Sequence, residues 1–386
     1  MFFVARKNGA LAGIDVLYRH FSVGYSQAEI ETKIKEQKRS FVSYGEYLEY
    51  IKSIDYIQTL YYNVTYRCAL ACHYCYAPKN GAHVTVLTNR IIAERLVGLN
   101  VQDIVLTGGE PFDHPNLRAI IEDLHKAGLE SISILTNGVS ASDDLLDLIN
   151  EFAIEVQISL DGHNEATNAP TRGKGNFERV MNTISRLEQN NAEFSVMNTL
   201  TSHNIVNAKS FADFFCAKGI DFGFFIVKKV KDELRPQMVD LLDLYDHLLS
   251  LGYDANNVLS CVKSSEQMKF QETGFPITHC GAGITELVVT PNADVYPCLK
   301  VLDDDEHLIC NLLNNDSISM IKHHRDKTLR NDLVTNLPRC EKCKIKHICG
   351  GGCRADQSFI DRNSCSFSQC GLHEANLKFF LENVKI

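Results

Sequence analysis

The sequence predicts an α/β protein built on a parallel sheet, followed by a smaller cysteine-rich segment. Three observations point there. Short apolar runs alternate with amphipathic stretches between about residues 57 and 230, that rhythm stops near residue 230, and cysteines gather at tight spacings on both sides of the break.

The apolar runs are Ile57–Val64, Asp103–Leu106, Ser131–Leu135, Glu155–Leu160, Phe194–Leu200 and Phe222–Val227. Their length, their Val/Ile/Phe content and their flanking Gly and Asn read as buried parallel strands. Between them, Leu117, Ile120, Ile121 and Leu124 form one helical stripe, and Ser142 before Asp143 and Asp144 starts another helix. Asn176 is the expected N-cap of a third, with Phe177, Val180, Ile184 and Leu187 on one face. Six strand–helix repeats imply right-handed crossovers, in a sheet either doubly wound or curled as a partial barrel.

The remaining segments are less regular. In residues 1–55, Ala28–Lys38 and Tyr44–Ile54 read as helices without chemistry. Residues 231–279 read as mainly helical, with Leu241, Leu242, Leu244, Tyr245, Leu248 and Leu249 facing a core. From Cys280 the chain is loop-rich, with a hairpin expected from Glu286–Thr290, a turn at Pro291–Asp294 and Val295–Pro297. His373–Lys385 reads as a closing helix. The expected organisation is an N-terminal extension (1–55), a core (56–230), a helical linker (231–279) and a cysteine-rich domain (280–386).

Composition excludes several classes. Of 386 residues, 45% are hydrophobic and 23% charged, as in ordinary globular proteins. No run approaches the ~20 apolar residues of a membrane span, and Arg6 and Lys7 interrupt the apolar start too early for a signal peptide. A cytoplasmic protein without a membrane partner is expected. The net charge of −9 argues against nucleic acid, and the acidic run Asp303–Glu306 reads as a solvated loop. Fourteen cysteines in a chain with no export signal point to metal rather than disulfides, and ten of them fall at tight, repeated spacings.

Cys68, Cys72 and Cys75 follow directly on the first strand, as Cys-Ala-Leu-Ala-Cys-His-Tyr-Cys. Three thiolates on one loop can hold three irons of a 4Fe–4S cube, leaving the fourth open to chelate the amino and carboxylate groups of a methionine. A zinc site that borrows His73 is the other reading of the triplet alone. Gly108-Gly109-Glu110-Pro111 ends the second strand: two glycines let backbone approach a ligand, and Glu110 can accept from an ammonium group. Asn137 ends the third strand, Ser159 and Asp161 the fourth, on the face where parallel sheets place their sites.

This pattern resembles the radical S-adenosylmethionine (SAM) superfamily, over about residues 57–230. The resemblance implies a partial (β/α)6 barrel, a cluster on Cys68, Cys72 and Cys75, and S-adenosylmethionine split to a 5′-deoxyadenosyl radical. By resemblance Tyr74 belongs to the cofactor site and Gly108, Gly109 and Glu110 form the methionine-binding loop. Ser159 and Asp161 are expected near the ribose, Arg172 on the methionine carboxylate, and Asn198 with Leu200 along the methionine and adenine end. An arginine fork suits a carboxylate, since such pairs are charge-assisted and often bidentate.

The second set comprises Cys280, Cys298, Cys340, Cys343, Cys349, Cys353 and Cys370. It resembles the SPASM extension, which implies two auxiliary 4Fe–4S clusters: Cys340, Cys343, Cys349 and Cys370 on one, Cys280, Cys298 and Cys353 on the other. A zinc ribbon is the rival. Some relatives carry a further cysteine a few residues after the position of Cys280, where this chain has Gly281–Glu286. The inner cluster is thus expected to be completed by substrate, water or a distant thiol, Cys261 and Cys310 being the nearest candidates. Cys216 and Cys365 read as bystanders.

SPASM-bearing relatives imply a ribosomally made precursor peptide as substrate and a flavodoxin- or ferredoxin-type reductant. Tetrapyrrole oxidation and sulfatase maturation are the enzymatic alternatives. Leu299 stands where sulfatase-maturing relatives have an aspartate, which speaks against the latter. An iron–sulfur electron carrier is the non-enzymatic alternative. The first 55 residues read as too short for a complete leader-binding domain, so a separate leader-binding partner is expected.

Overall fold

The computed structural model describes all residues except 7–8, 16–19, 38–42, 228–231, 264–277, 279, 303, 354, 356–366 and 385–386. Its contacts divide the chain into two units: residues 1–54, 237–280 and 328–386 form one, and 55–236 with 281–327 the other.

The first unit opens with strands β1 (Phe2–Ala5), β2 (Leu11–Asp15) and β3 (His20–Gly24), paired antiparallel in that order. These strands were not anticipated, because they lie outside the strand–helix rhythm that begins near residue 57. Helices α1 (Gln27–Lys35) and α2 (Tyr44–Ser53) follow as expected, each capped by a serine (Ser26, Ser43) that accepts from the backbone three residues on.

The second unit contains the six anticipated strands: β4 (Ile57–Thr65), β5 (Val101–Gly108), β6 (Ile132–Thr136), β7 (Glu155–Ser159), β8 (Phe194–Leu200) and β9 (Phe222–Ile226). Each pairs in parallel with the next. A doubly wound sheet reverses its strand order at a switch point, whereas this order is purely sequential, so the partial barrel is the observed form. The crossovers are α3 (Val86–Gly98), α4 (Leu117–Lys126), α5 (Asp143–Glu151), α6 (Glu165–Arg172) with α7 (Phe177–Gln189), and α8 (Ala208–Lys218). The stripe Leu117, Ile120, Ile121 and Leu124 is buried, as are Val180, Ile184 and Leu187.

Two local readings change. Asn176 sits at the N-cap of α7 without capping it; its amide instead donates to the carbonyls of Arg172 and Gly173 at 3.0 and 3.1 Å, closing α6. Helix α6 itself was missed, because Pro170 interrupts the pattern; a reciprocal Asn164–Thr167 capping box starts it regardless.

Beyond residue 236, α9 (Met238–Ser250), α10 (Ala255–Cys261) and a two-residue strand β10 (Val262–Lys263) belong to the first unit. Leu241, Leu244, Tyr245 and Leu248 are buried, while Leu242 and Leu249 are only half-buried. The hairpin forms from β11 (Glu286–Val289) and β12 (Asp294–Tyr296), with β13 (Cys310–Asn311) beside it. Strand β11 pairs in parallel with β4, Leu287 opposite Leu60, so the hairpin continues the barrel sheet. The expected domain at 280–386 is therefore divided: residues 281–327 join the barrel through this pairing, and 328–386 pack with the N-terminal sheet. Helices α11 (Ser317–Asn331), α12 (Lys346–Cys349) and α13 (Phe367–Asn383) complete the described α-helices. Within the first unit, Phe380 of α13 meets Phe21 edge-on at 5.0 Å, and Asn376 accepts from the Tyr245 hydroxyl at 3.0 Å.

Leu60 is fully buried on a strand paired on both sides. Leu60→Ala is expected to cost about 2–5 kcal/mol in urea denaturation. A loss below ~1 kcal/mol would be incompatible with a packed strand at that position.

Candidate active site

The loops after β4 to β8 meet at the carboxyl ends of the strands, and the cysteine loop is the first of them. Its entry is stitched to the loop after β5: Gly109 donates to the Thr65 carbonyl at 2.6 Å and Glu110 to the Arg67 carbonyl at 2.7 Å. A Cβ at Gly108 would overlap the Thr65 carbonyl oxygen, and one at Gly109 the Arg67 carbonyl oxygen. Gly108 also has φ 130°, which excludes other residues on conformational grounds. The glycines were expected to admit a ligand to the backbone; the close neighbour observed is the chain's own cysteine-loop backbone.

Glu110 was expected to accept from an ammonium group. It is 1% exposed, and its carboxylate accepts from the Phe112 amide (2.9 Å), the Thr136 hydroxyl (2.6 Å) and the Asn137 amide (2.6 Å). Burial pushes its pKa up to about 7, against the pull of these three donors. Glu110 thus ties the loop after β5 to the loop after β6. Asn137, delivered by that tie, holds its side-chain amide 3.7 Å from Cys68 Sγ.

Cys68 and Cys75 are exposed and Cys72 half-buried. Cys75 donates its amide to the Cys72 carbonyl at 3.1 Å, and Leu70 its amide to Cys68 Sγ at 3.4 Å. Burial raises the Cys68 and Cys72 thiols; the amides of Leu70 and Asn137 favour the Cys68 thiolate, and the Arg172 charge favours that of Cys72.

Asp161, expected near the ribose, is 1% exposed with both oxygens engaged. Oδ1 accepts from the Thr199 amide at 3.0 Å; Oδ2 accepts from the Tyr74 hydroxyl at 2.5 Å and lies 3.0 Å from Arg172 Nε. Arg172, 8% exposed, has its Cζ 5.9 Å from the Tyr74 ring centroid. Among the described residues its guanidinium makes no hydrogen bond of good geometry, Nε included, and the ion pair with Asp161 is what holds it. One side of the guanidinium is anchored and the fork is spare. The Nδ2 of buried Asn168, one turn earlier on α6, also lacks a partner there, while its Oδ1 accepts from the Asp161 amide at 3.0 Å.

Ser159 sits half-buried at the end of β7. Asn198 is 1% exposed and accepts from Asn204 Nδ2 at 3.2 Å, bracing the loop after β8. Leu200 is fully buried, so its side chain packs in the core. His203 in that loop stacks on His73 of the cysteine loop, with ring centroids 5.2 Å apart. Asn168, Thr199 and Asn204 were not singled out in the sequence. The four-residue step from Asn168 to Arg172 would have marked the first, had Pro170 not hidden the helix.

Of the second cysteine set, Cys298 follows β12 in the barrel unit, where the Tyr76 phenol is within electrostatic reach of both Cys298 and Cys75. Cys280, Cys340, Cys343, Cys349, Cys353 and Cys370 belong to the other unit. There the Cys343 amide donates to the Cys340 carbonyl at 3.1 Å, and Cys340, Cys349 and Cys353 are buried. Cys370 lies on α13, but its side chain is outside the described residues, as is Cys365. Cys310 is buried, donates to the Ser317 carbonyl at 3.7 Å, and is pushed up to about 12 by burial. That makes it a protonated core thiol rather than a ready ligand.

Among the described residues no three His, Cys, Asp or Glu side chains converge as closely as one metal ion requires. A four-iron cube needs its sulfurs farther apart than a single ion does, and three thiols on an exposed loop suit it. The spare Arg172 fork suits the carboxylate of S-adenosylmethionine.

Residues 62–215 match the sequence profile of the radical SAM superfamily. That stretch is a radical SAM domain. The chain is 25% identical over 329 residues to the mycofactocin maturase MftC of Mycolicibacterium smegmatis, covering 81% of each. It is 24% identical over 338 residues to the antilisterial bacteriocin subtilosin biosynthesis protein AlbA of Bacillus subtilis, covering 80% of this chain and 70% of AlbA. In structure it is similar to Streptococcus suis SuiB bound to precursor peptide SuiA. The TM-score there is 0.62 at 16% identity, covering 80% of this chain and 74% of SuiB. SuiB has also been solved bound to S-adenosylmethionine. A 4Fe–4S cluster and S-adenosylmethionine come with the family, and among the described residues no helix is long and apolar enough to cross a membrane.

Gly109→Ala is expected to displace the cysteine loop and lose most of the iron of the first cluster, read by iron analysis and visible absorbance. Gly45→Ala on α2, where a Cβ meets nothing closer than Ser43 Oγ at 3.8 Å, serves as the tolerated control. Equal iron in the two variants would contradict the role given to the stitch.

Proposed function

We propose that this radical SAM chain is a peptide maturase, which oxidatively modifies a ribosomally made precursor by crosslinking or a similar reaction. The observation that carries the reading is the likeness to mycofactocin maturase over four-fifths of both chains. A bacteriocin biosynthesis relative and a structural neighbour solved on its precursor peptide favour it over tetrapyrrole oxidation and sulfatase maturation. The spare arginine fork speaks against a mere electron carrier, which has no use for a carboxylate clamp.

When bound, the cluster and S-adenosylmethionine supply one-electron cleavage of the sulfonium, giving a 5′-deoxyadenosyl radical able to take a hydrogen atom from peptide carbon. The chain's own residues place and shield that chemistry. Cys68, Cys72 and Cys75 present three thiols at the open end of the barrel. Arg172 offers two donors to the methionine carboxylate, while Tyr74, Asn137, Ser159 and Asn198 stand at the ends of the same strands or on the facing loop. Gly108, Gly109 and Glu110 act mainly through backbone placement, Asp161 through Arg172, and Leu200 through the core behind the site.

The proposal includes two auxiliary 4Fe–4S clusters, one on Cys340, Cys343, Cys349 and Cys370 and one on Cys280, Cys298 and Cys353. The cysteine spacing supports them. It also includes a cytoplasmic setting, a flavodoxin- or ferredoxin-type reductant and a separate leader-binding partner.

Anaerobically reconstituted protein is expected to hold about twelve irons, from three four-iron cubes. A value near four would remove the auxiliary clusters. Cys72→Ala should abolish 5′-deoxyadenosine formation while keeping the remaining iron; persistent product would overturn the assignment of the first loop. A co-expressed precursor peptide is expected to lose two hydrogens by mass spectrometry, and unchanged mass across candidate peptides would count against a peptide substrate.

A further inference from the structure

Tyr74 lies between Cys72 and Cys75 in the chain, yet its hydroxyl reaches Asp161, two residues past the end of β7. There it donates to Asp161 Oδ2 at 2.5 Å, the oxygen that also lies 3.0 Å from Arg172 Nε. Asp161 cannot shift toward either partner. Its other oxygen is held by the Thr199 amide at 3.0 Å, and its own amide by Asn168 Oδ1 at 3.0 Å. One buried carboxylate is therefore shared between the cysteine loop and the arginine whose fork is spare. The Cys68 end of the loop has a different anchor, the Gly109 and Glu110 stitch with Asn137. Among the described residues, no other side-chain hydrogen bond tethers the stretch from Cys72 to Cys75 to the strand ends.

We propose that Tyr74 is a positioning residue whose hydroxyl, through Asp161, holds the Cys72–Cys75 half of the loop in register with Arg172. The inference rests on the radical SAM reading and adds a coupling to it. A ligand carboxylate that engages the Arg172 fork draws guanidinium charge away from Asp161. The hydrogen bond from Tyr74 then becomes the main compensation for that buried carboxylate, and it tightens. Occupancy of the arginine is thereby felt at the two cysteines. The coupling needs the hydroxyl, because a phenyl ring would keep the packing and the contact with the guanidinium but lose the tie.

The test uses full-length reconstituted protein as wild type, Tyr74→Phe, Tyr74→Ala, Asp161→Asn and the Tyr74→Phe/Asp161→Asn double variant. Three readouts are taken: iron content, the electron paramagnetic resonance spectrum of the reduced cluster with and without S-adenosylmethionine, and the Kd of the uncleavable probe S-adenosylhomocysteine. Tyr74→Phe is expected to keep wild-type iron and to weaken probe binding roughly tenfold, as for loss of a hydrogen bond to a charged group. Its spectrum should fail to convert to the single ligand-shifted form seen in wild type. Asp161→Asn should do the same, and the double variant should be no worse than either single one, because both remove one link. Should phenylalanine restore what alanine loses, packing alone suffices and the proposal is overturned. If Tyr74→Ala does not fold, wild-type behaviour of Tyr74→Phe in binding and spectrum overturns it equally. A wild-type spectrum that does not respond to S-adenosylmethionine overturns the radical SAM reading, and the coupling with it.

Discussion

Two backbone hydrogen bonds, from Gly109 to Thr65 and from Glu110 to Arg67, extend the pairing of β4 and β5 past the end of the regular sheet. Everything at the open end of the barrel hangs on that extension. It fixes the height at which the chain leaves β4, and so the place where Cys68 begins its loop. It requires glycine at positions 108 and 109, because the two backbones approach too closely for any Cβ. It also carries Glu110 into the interior, where three donors turn a carboxylate into a brace between neighbouring loops. A carboxyl group buried in this way is costly without such donors, and here they come from both adjoining loops.

A second brace of the same kind lies two strands along. Asp161 gathers Thr199, Tyr74 and Arg172 around one buried carboxylate, as Glu110 gathers Phe112, Thr136 and Asn137. The cysteine loop is thus gripped at either end by an acid that does not itself face the open site. Exposed thiols on an irregular loop are poorly placed by their own backbone, which has few hydrogen bonds. Rigid strand ends and buried acids supply the placement instead. A cluster needs several sulfurs at set distances, and such a loop meets that need only when its anchors are fixed.

Much of the core was legible in the sequence because it depends on periodicity. The six strands and the stripes on α4 and α7 announce themselves through burial that repeats every two or every three to four residues. The three cysteines and the loop at Gly108–Glu110 were legible because their chemistry demands particular residue types at short spacing. The N-terminal strands were not, because they stand outside the repeating strand–helix rhythm. Helix α6 was hidden by Pro170, and with it the four-residue step that sets Asn168 and Arg172 on one face. The side-chain roles of Asp161 and Glu110 were legible as acids near a site, but not as acids whose oxygens are already taken.

By itself the sequence determined the chemistry on offer: three thiols after a first strand, a glycine pair, an arginine, and a second run of cysteines. It also determined the repeating strand–helix rhythm, since local burial patterns are written residue by residue. Tertiary structure alone decided that the sheet runs in sequential order and that β11 pairs with β4. It alone decided which partners each buried acid holds. Apart from Phe112 beside Glu110, those are contacts between residues ten to hundreds of positions apart, and no short-range pattern encodes which distant donor reaches a given carboxylate. That choice belongs to packing, where burial forces every polar group to find a partner from whatever the fold brings near.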